Sequence, residues 1–175
     1  HINAAQNGKP CEIFINGKRA HLPRYPESSS ARTGEVINDT DYKGAGGTFV
    51  VDADTRERMK AWHDLSDFCV DWSNARIPIE KYDAQTGRLT TLFLDSYGLA
   101  ENCPYFFVNV PEEMNTPDTY YMDSERGLLY VYPDGDAESL TVEMSILNEP
   151  FIEISNADNI TVEGLKFRLS RDKAI

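Results

Sequence analysis

The sequence predicts an all-β protein: an antiparallel β-sandwich or barrel-like domain with one short helix, followed by a rung of a parallel β-helix. Short segments of alternating apolar residues recur about every 8–12 residues with turn residues between them, which is typical of sandwiches and barrels. One segment alone has helical spacing. The end of the chain contains three very short apolar segments separated by tight corners, which is what one rung of a solenoid needs.

The first part of the chain predicts a hairpin, a long loop and a further strand. Residues 11–15 lead into Asn16 and Gly17, and this pair favours a type I′ turn because both central residues of that turn need a positive φ. Residues 18–22 form the return strand. The segment 27–47 is rich in serine and glycine and predicts a long polar loop before a short strand over residues 48–51.

A single helix is predicted over residues 55–64. Asp54 and Glu57 have the spacing of a capping box, in which the carboxylate of Asp54 accepts a hydrogen bond from the amide three residues on. Met59 and Trp62 follow at three-residue spacing and share one helical face, so Trp62 is expected to pack in the core. The strands predicted beyond the helix are residues 68–72, 76–82, 88–94, 105–109, 119–122, 128–132 and 140–145.

Two pairs of these strands are predicted to form hairpins because turn residues join them. Strand 76–82 is expected to pair with strand 88–94, and strand 119–122 with strand 128–132; both connections end in glycine. The predicted sandwich domain occupies residues 1–148.

The segment 149–175 is predicted to begin a parallel β-helix. Each rung of such a solenoid buries its inward side chains against the rungs above and below, so a solenoid needs about three or more repeats to be stable. One rung is present in this segment. Either it docks on the sandwich as an ordinary strand pair, or the chain is a piece of a longer protein, and the second interpretation is favoured.

Composition excludes several kinds of partner. Across 175 residues the formal net charge is −12, whereas nucleic-acid binders and proteins that bind anionic membranes need a basic surface. No apolar run approaches the length of about 18 residues that a membrane-spanning helix requires. The three cysteines are widely spaced and form neither a disulfide framework nor a metal motif. A neutral or cationic partner fits this charge better, and sugars are neutral; no cofactor or metal is predicted.

The residues suited to sugar binding are an arginine and three aromatic side chains. Aromatic rings stack on the apolar face of a pyranose while polar neighbours bind its hydroxyls; Tyr25, Trp72 and Tyr120 are the candidates, with core packing as the alternative for each. Arg24 lies in a turn between two prolines. It is suited either to binding hydroxyls or a uronic carboxylate as a fork, or to bracing the turn.

The acidic residues predict no local catalytic pair. Glycoside hydrolysis needs two carboxyl groups that flank the scissile bond. The candidate pairs, such as Glu112 with Glu113, are sequence neighbours on turns, and adjacency does not aim two groups across a cleft. Solvated charge on a turn is the alternative for these pairs. Glu112 is included among the residues predicted to contact substrate, and no residue of this chain is predicted to be catalytic.

Three segments resemble bacterial right-handed β-helix glycoside hydrolases of the xylosidase-like and fucosidase-like kind. Residues 109–133 resemble a stretch with an asparagine, an acidic pair, a Thr-Pro turn and an aromatic strand that ends in aspartate. Residues 15–26 look like the Asn-Gly-Lys-Arg segment of that family, and residues 156–167 are similar to the rung where its helix resumes. Tyr120 stands where the family usually has tryptophan.

The resemblance implies a β-sandwich inserted between early rungs of a β-helix, beside a sugar-binding cleft. The family's catalytic carboxylates lie on the β-helix beyond the insertion. The expected function is therefore a non-catalytic part of a secreted polysaccharide-degrading glycoside hydrolase that forms one wall of the carbohydrate cleft, in an extracytoplasmic location, with the remainder of a β-helix in the parent chain. The alternatives are a stand-alone carbohydrate-binding β-module and a purely structural cell-surface β-module.

Overall fold

A computed structural model of the chain describes residues 11–38, 46–63, 65, 67–70, 75–93, 98–123, 126–147 and 149–169, with the backbone alone for residues 38, 67–70 and 75. The described structure is predominantly β, all pairings between its strands are antiparallel, and it contains one short α-helix. The predicted all-β class with one helix is therefore confirmed. No helix within these residues is long and apolar enough to cross a bilayer.

The described strands, in chain order, are β1 (Ile13–Ile15), β2 (Lys18–Arg19), β3 (Arg24–Tyr25), β4 (Ala31–Arg32), β5 (Val36–Asn38), β6 (Thr48–Val50), β7 (Asp67–Val70), β8 (Ala75–Ile77), β9 (Ile79–Asp83), β10 (Arg88–Thr91), β11 (Pro104–Val108), β12 (Thr119–Asp123), β13 (Leu128–Tyr132) and β14 (Val142–Met144). The α-helix, α1, spans Ala53–Met59, and short 3-10 helices span Pro111–Glu113 and Ala137–Ser139.

The chain divides into two compact units. The first comprises His1–His21 with Pro117–Ile175, and the second comprises Leu22–Thr116. The first contains a three-stranded sheet in the order β14-β1-β2 and the hairpin β12-β13. The predicted turn between β1 and β2 is confirmed, with φ of 50° at Asn16 and 77° at Gly17. The predicted domain boundary after residue 148 stays a prediction.

The second unit holds two sheets around one core. A four-stranded sheet has the order β5-β6-β10-β9, and a five-stranded sheet has the order β3-β11-β7-β8, with β4 also paired to β11. Phe49 of the first sheet packs edge-on against Tyr105 of the second, with ring centroids 5.2 Å apart. Trp62 joins this core at 8% exposure, as its spacing predicted.

The helix begins earlier and is shorter than the sequence predicted. Asp52, in an extended conformation, is the N-cap: its Oδ1 accepts from the Thr55 amide at 2.9 Å and its Oδ2 from the Thr55 hydroxyl at 2.8 Å. Asp54 instead lies inside the first helical turn. The helix ends at Met59, and Trp62 therefore follows it.

Two strand predictions are also corrected. The segment predicted as one strand over residues 76–82 is two strands, β8 and β9, because Pro78 between them has no amide hydrogen to donate to a sheet. The segment predicted as a loop over residues 27–47 contains β4 and β5, which are only two and three residues long. Strands this short carry too little alternation for a sequence pattern to reveal them. Residues 39–45 of that segment lie outside the described residues.

The tail from 149 to 169 has no assigned strand among its described residues. Its backbone turns at positions of positive φ: Asn156 at 52°, Asn159 at 60° and Gly164 at 73°. The hydrogen bonds of a solenoid rung run to the neighbouring rungs, so a single rung has no partner strand with which to form a ladder. The predicted β-helix rung accordingly stays a prediction.

Candidate functional site

Four of the five predicted sugar-contact residues lie in the described structure, three in the second unit and one in the first. Trp72 lies outside the described residues. Tyr25 and Glu112 both lie near the end of α1 in the second unit, where Trp62 and His63 contact them. Arg24 contacts Phe106 instead, and Tyr120 belongs to the first unit.

The segment that follows α1 meets two successive glutamates of the 3-10 helix. We name this group, made of Arg58, Trp62, His63, Glu112 and Glu113, the glutamate corner. The 3-10 helix begins at Pro111, shortly after β11, and this turn presents both carboxylates to the helical segment. Partners 49 to 55 residues apart in sequence are thereby joined.

Glu113 is the buried member of the glutamate corner, with 4% exposure. Its Oε1 accepts from Arg58 Nε at 2.5 Å and from Trp62 Nε1 at 2.7 Å, while Oε2 accepts from Arg58 Nη2 at 3.1 Å. The guanidinium and the carboxylate therefore meet as a two-bond fork, the strong form of this pair. The carboxylate in turn raises the pKa of Arg58 through these hydrogen bonds and its charge. Both oxygens of Glu113 are engaged, which suits a structural role.

One carboxylate oxygen of Glu112 accepts hydrogen bonds, and the other accepts none from the residues that the structure describes. Oε1 lies 2.9 Å from the His63 amide and 2.7 Å from His63 Nδ1, whereas the buried Oε2 accepts no hydrogen bond among the described residues. Burial alone would raise the pKa of Glu112, but the hydrogen bonds from His63 outweigh it and hold the pKa below its usual value. Glu112 is therefore held as a carboxylate, which is a hydrogen-bond acceptor rather than a proton donor.

We expect the replacement Glu112→Gln to change how stability depends on pH. The folded-state pKa of Glu112 lies below its unfolded value of about 4.3, so its ionised form stabilises the fold above that pH, and the contribution is lost as pH falls through the folded pKa. The difference in unfolding free energy between wild type and Glu112→Gln should therefore shrink between about pH 5 and pH 3. Urea denaturation at several pH values measures it. A constant difference would contradict the pairing, and His63→Ala should reduce the pH-dependent part.

Tyr25 and Arg24 are neighbours on β3 and point to different surroundings. The Tyr25 ring packs edge-on against Trp62, with centroids 5.4 Å apart. Burial raises the pKa of its phenol, the nearby carboxylates of Asp52 and Glu113 also raise it, and a hydrogen bond with Thr55 lowers it in part. Tyr25 is consequently a neutral phenol built into the edge of the core.

Arg24 braces its turn and retains one unused donor. Its Nη2 donates to the Ser29 carbonyl at 2.6 Å, and its guanidinium carbon lies 3.9 Å from the centroid of the Phe106 ring. Its Nε is buried without a hydrogen-bond partner among the described residues. The bracing role predicted as one alternative is therefore present. The role in sugar binding stays a prediction.

Tyr120 lies on the buried face of the hairpin β12-β13. It is 7% exposed, and its hydroxyl donates to the Cys11 carbonyl at 3.3 Å. In this conformation protein covers its ring face, which leaves a pyranose no surface on which to stack. Its predicted contact with sugar stays a prediction, and the core-packing alternative describes its present surroundings.

Other features of the surface add little to this site. A pocket of about 220 Å³ lies between α1 and β9, and its lining includes Arg56, Lys60 and Tyr82 but none of the four described candidates. Its charges are engaged, since Arg56 donates to the Gln85 carbonyl at 3.0 Å and Lys60 pairs with Glu57. Among the described residues no group of three or more acidic, histidine or cysteine side chains is arranged to hold a metal ion.

Sequence reasoning missed Arg58, Glu113 and Phe106 as partners of the candidate residues. The capping pattern indicated the helix that carries Arg58, and the acidic pair was visible in the sequence. No signal indicated which of the two glutamates turns inward, because both follow Pro111 in the same short turn.

No protein family and no curated protein matches this chain. A solved structure described as a glycoside hydrolase matches with a TM-score of 0.53 and 19% sequence identity, over 75% of this chain and 26% of that chain. At this identity the likeness shows the fold alone, and this chain spans about a quarter of the protein it matches. Over the matched part, the fold of this chain is thus similar to that of a segment of the protein described as a glycoside hydrolase.

Proposed function

We propose that this chain is part of a secreted, polysaccharide-degrading glycoside hydrolase, in which it forms a non-catalytic wall of the carbohydrate cleft. The observation that carries the proposal is the likeness of fold to a segment of a glycoside hydrolase. Because the matched segment is 26% of that protein, most of that protein, and with it room for a catalytic centre, lies outside the match. The acidic net charge of −12 supports a neutral carbohydrate over an anionic partner.

The chemistry of the glutamate corner supports a non-catalytic role. A glycosidase needs two carboxyl groups facing the scissile bond, about 5–5.5 Å apart for retention or about 6.5–9.5 Å apart for inversion. Glu113 is buried and uses both oxygens on Arg58 and Trp62. Glu112 is held as a carboxylate by His63 and so is a poor general acid.

The tail supports the proposed continuation into a right-handed parallel β-helix. The rings of Phe151 and Phe167 stack with centroids 5.5 Å apart and planes at 22°, so the segment between them folds back on itself. Ile160 is 56% exposed and Leu165 is 62% exposed. A neighbouring rung would cover such apolar side chains, whose exposure is otherwise unfavourable.

Arg24 is the proposed contact with the sugar. The Arg24 Nε–H is buried without a partner among the described residues, which is costly, and a side-chain rearrangement that lets a ligand oxygen reach it would remove that cost. The guanidinium already lies against Phe106 and is held by Ser29, so little side-chain freedom is lost when a hydroxyl or carboxylate binds.

The test is oligosaccharide binding by calorimetry, together with turnover of a panel of aryl glycosides. We expect no turnover by this chain, and weak oligosaccharide binding that Arg24→Ala reduces about tenfold, as loss of a charged hydrogen bond implies. Arg32→Ala is the matched control, because exposed Arg32 belongs to the same sheet and donates to a backbone carbonyl, that of Asn102. Thermal unfolding of each variant checks that it remains folded.

Three results would overturn parts of the proposal. Turnover that is lost in Glu112→Gln would place catalysis in this chain. Absence of binding and of turnover would indicate a purely structural β-module. Equal oligosaccharide binding by Arg24→Ala and Arg32→Ala would show that Arg24 does not contact the sugar.

A further inference from the structure

The hairpin β12-β13 has an unusual outer face. Its register places Tyr121 opposite Tyr130, Asp123 opposite Leu128 and the buried Thr119 opposite Tyr132, so these side chains share one face of the two-stranded sheet. Along β13, Leu128, Tyr130 and Tyr132 are 46%, 43% and 42% exposed. We name the group of Tyr121, Leu128, Tyr130 and Tyr132 the tyrosine face.

The opposite face of the same hairpin is the buried one. Tyr120 and Met122 on β12 are 7% and 9% exposed, and they alternate with the outward residues. A sheet with one buried face normally carries polar side chains on the other. The row of rings on the outer face therefore departs from what packing alone requires, and contiguous exposed apolar surface of this kind marks binding sites.

The geometry of the rings suits a flat ligand. The centroids of Tyr121 and Tyr130 lie 6.0 Å apart, with their ring planes tilted by 32° to each other. Tyr132 follows Tyr130 on the same side of the strand at a spacing of about 7 Å. Rings arranged in this way offer successive stacking surfaces, and a phenol at such a surface keeps its hydroxyl near water for hydrogen bonding.

The charge of the surroundings selects among flat ligands. Asp134, Asp136 and Glu138 follow β13 and are exposed, and the chain as a whole carries a net charge of −12. Such a surface repels nucleic acids, anionic lipids and uronic-acid polymers. Neutral sugars remain as flat ligands that this surface does not repel. Their C–H faces stack on aromatic rings, and their hydroxyls donate hydrogen bonds to carboxylates.

We propose that the tyrosine face, in the first unit, binds a neutral polysaccharide chain, in addition to the contact proposed for Arg24 in the second unit. This inference rests on the proposed carbohydrate function and adds to it a named surface and a class of ligand. The face holds substrate by stacking, the hydroxyls of the substrate donate to the neighbouring carboxylates, and the face takes no part in bond cleavage.

Affinity electrophoresis tests the proposal, with gels that contain arabinoxylan, galactomannan or mixed-linkage β-glucan, and polygalacturonate as the acidic polymer. We expect at least one neutral polymer to retard the protein and polygalacturonate not to. The double variant Tyr130→Ala/Tyr132→Ala should lose affinity by about tenfold or more, since two stacking contacts are removed. The matched control is Leu92→Ala/Phe93→Ala, which removes two side chains of 53% and 38% exposure from the second unit.

The outcomes separate this inference from the proposed function. Unchanged retardation of the tyrosine double variant, or no retardation of wild type by any neutral polymer, overturns the tyrosine face. If only Arg24→Ala loses oligosaccharide binding, the proposed cleft wall is supported and the tyrosine face is not. If only the tyrosine double variant loses binding, the tyrosine face is supported and the proposed role of Arg24 is contradicted. A wild-type dimer in sedimentation that the double variant dissociates would show that a second copy covers the face, which also overturns the proposal.

Discussion

Replacing Glu113 by alanine is expected to lower the free energy of unfolding by about 2–4 kcal/mol. The carboxylate is 4% exposed and accepts three hydrogen bonds, so its removal leaves Trp62 Nε1 and Arg58 without their acceptor. A fully buried pair loses about 3–5 kcal/mol when one partner is removed. The expected value is lower for this pair because the Arg58 side chain is 44% exposed and water can solvate it.

Urea denaturation followed by circular dichroism measures the effect, and Glu112→Ala is the matched control. Glu112 is the preceding residue of the same 3-10 helix, but its partner His63 has a side chain that is 92% exposed, so the loss should stay under about 1 kcal/mol. Similar losses in the two variants would contradict the assignment of Glu113 as the structural carboxylate. Glu113→Gln should lie between the two, because the amide keeps one acceptor and places a donor against the guanidinium.

Replacing Phe107 by alanine is expected to lower the free energy of unfolding by about 3–5 kcal/mol, more than the loss of the Glu113 carboxylate. Its ring is 0% exposed and lies edge-on to Trp62 and Tyr105, with centroids 5.0 Å and 5.5 Å away. The truncation leaves a cavity where the helical segment meets the five-stranded sheet, and it also removes two aromatic contacts.

The measurement is again the unfolding free energy, with the denaturant slope checked for constancy. Leu92→Ala is the control: this side chain is 53% exposed, and its loss should change stability by less than about 0.5 kcal/mol. Phe107→Leu should cost less than the alanine variant because it leaves a smaller cavity. A loss below about 1.5 kcal/mol for Phe107→Ala would show that the surrounding core collapses into the space of the ring, and would contradict tight packing at this position.

The glutamate corner explains why an adjacent acidic pair need not be catalytic. Two neighbouring carboxylates in one short turn face different surroundings: Glu113 faces the guanidinium of Arg58 and the indole of Trp62, and Glu112 faces the exposed His63. These different surroundings give Glu113 a structural role and leave Glu112 as a hydrogen-bond acceptor near the surface. The two glutamates of this corner therefore do not form a matched pair that faces one bound molecule.

Local patterns in the sequence determined much of the secondary structure. Asn16 and Gly17 predicted their turn because few other residues adopt two successive positive φ angles. The hairpin β12-β13 and the pairing of β9 with β10 were also predicted, since glycine-ended turns joined alternating segments. Trp62 was predicted to pack in the core from its spacing to Met59. All these signals operate over a few residues, where steric preference and periodicity decide the outcome.

Only the tertiary structure decided how these pieces meet. The inward turn of Glu113 depends on Arg58 and Trp62, which lie 55 and 51 residues away, and nothing local distinguishes it from Glu112. The short strands β3 and β4 exist because β11 lies between them and β7 and offers its backbone for pairing, not because of their own pattern. Likewise, the alternation along β13 indicated a strand, but which of its faces is left to solvent follows from what packs against the other. Long-range contacts decide between local conformations that are nearly equal in energy. No single segment of the sequence contains the information for that decision.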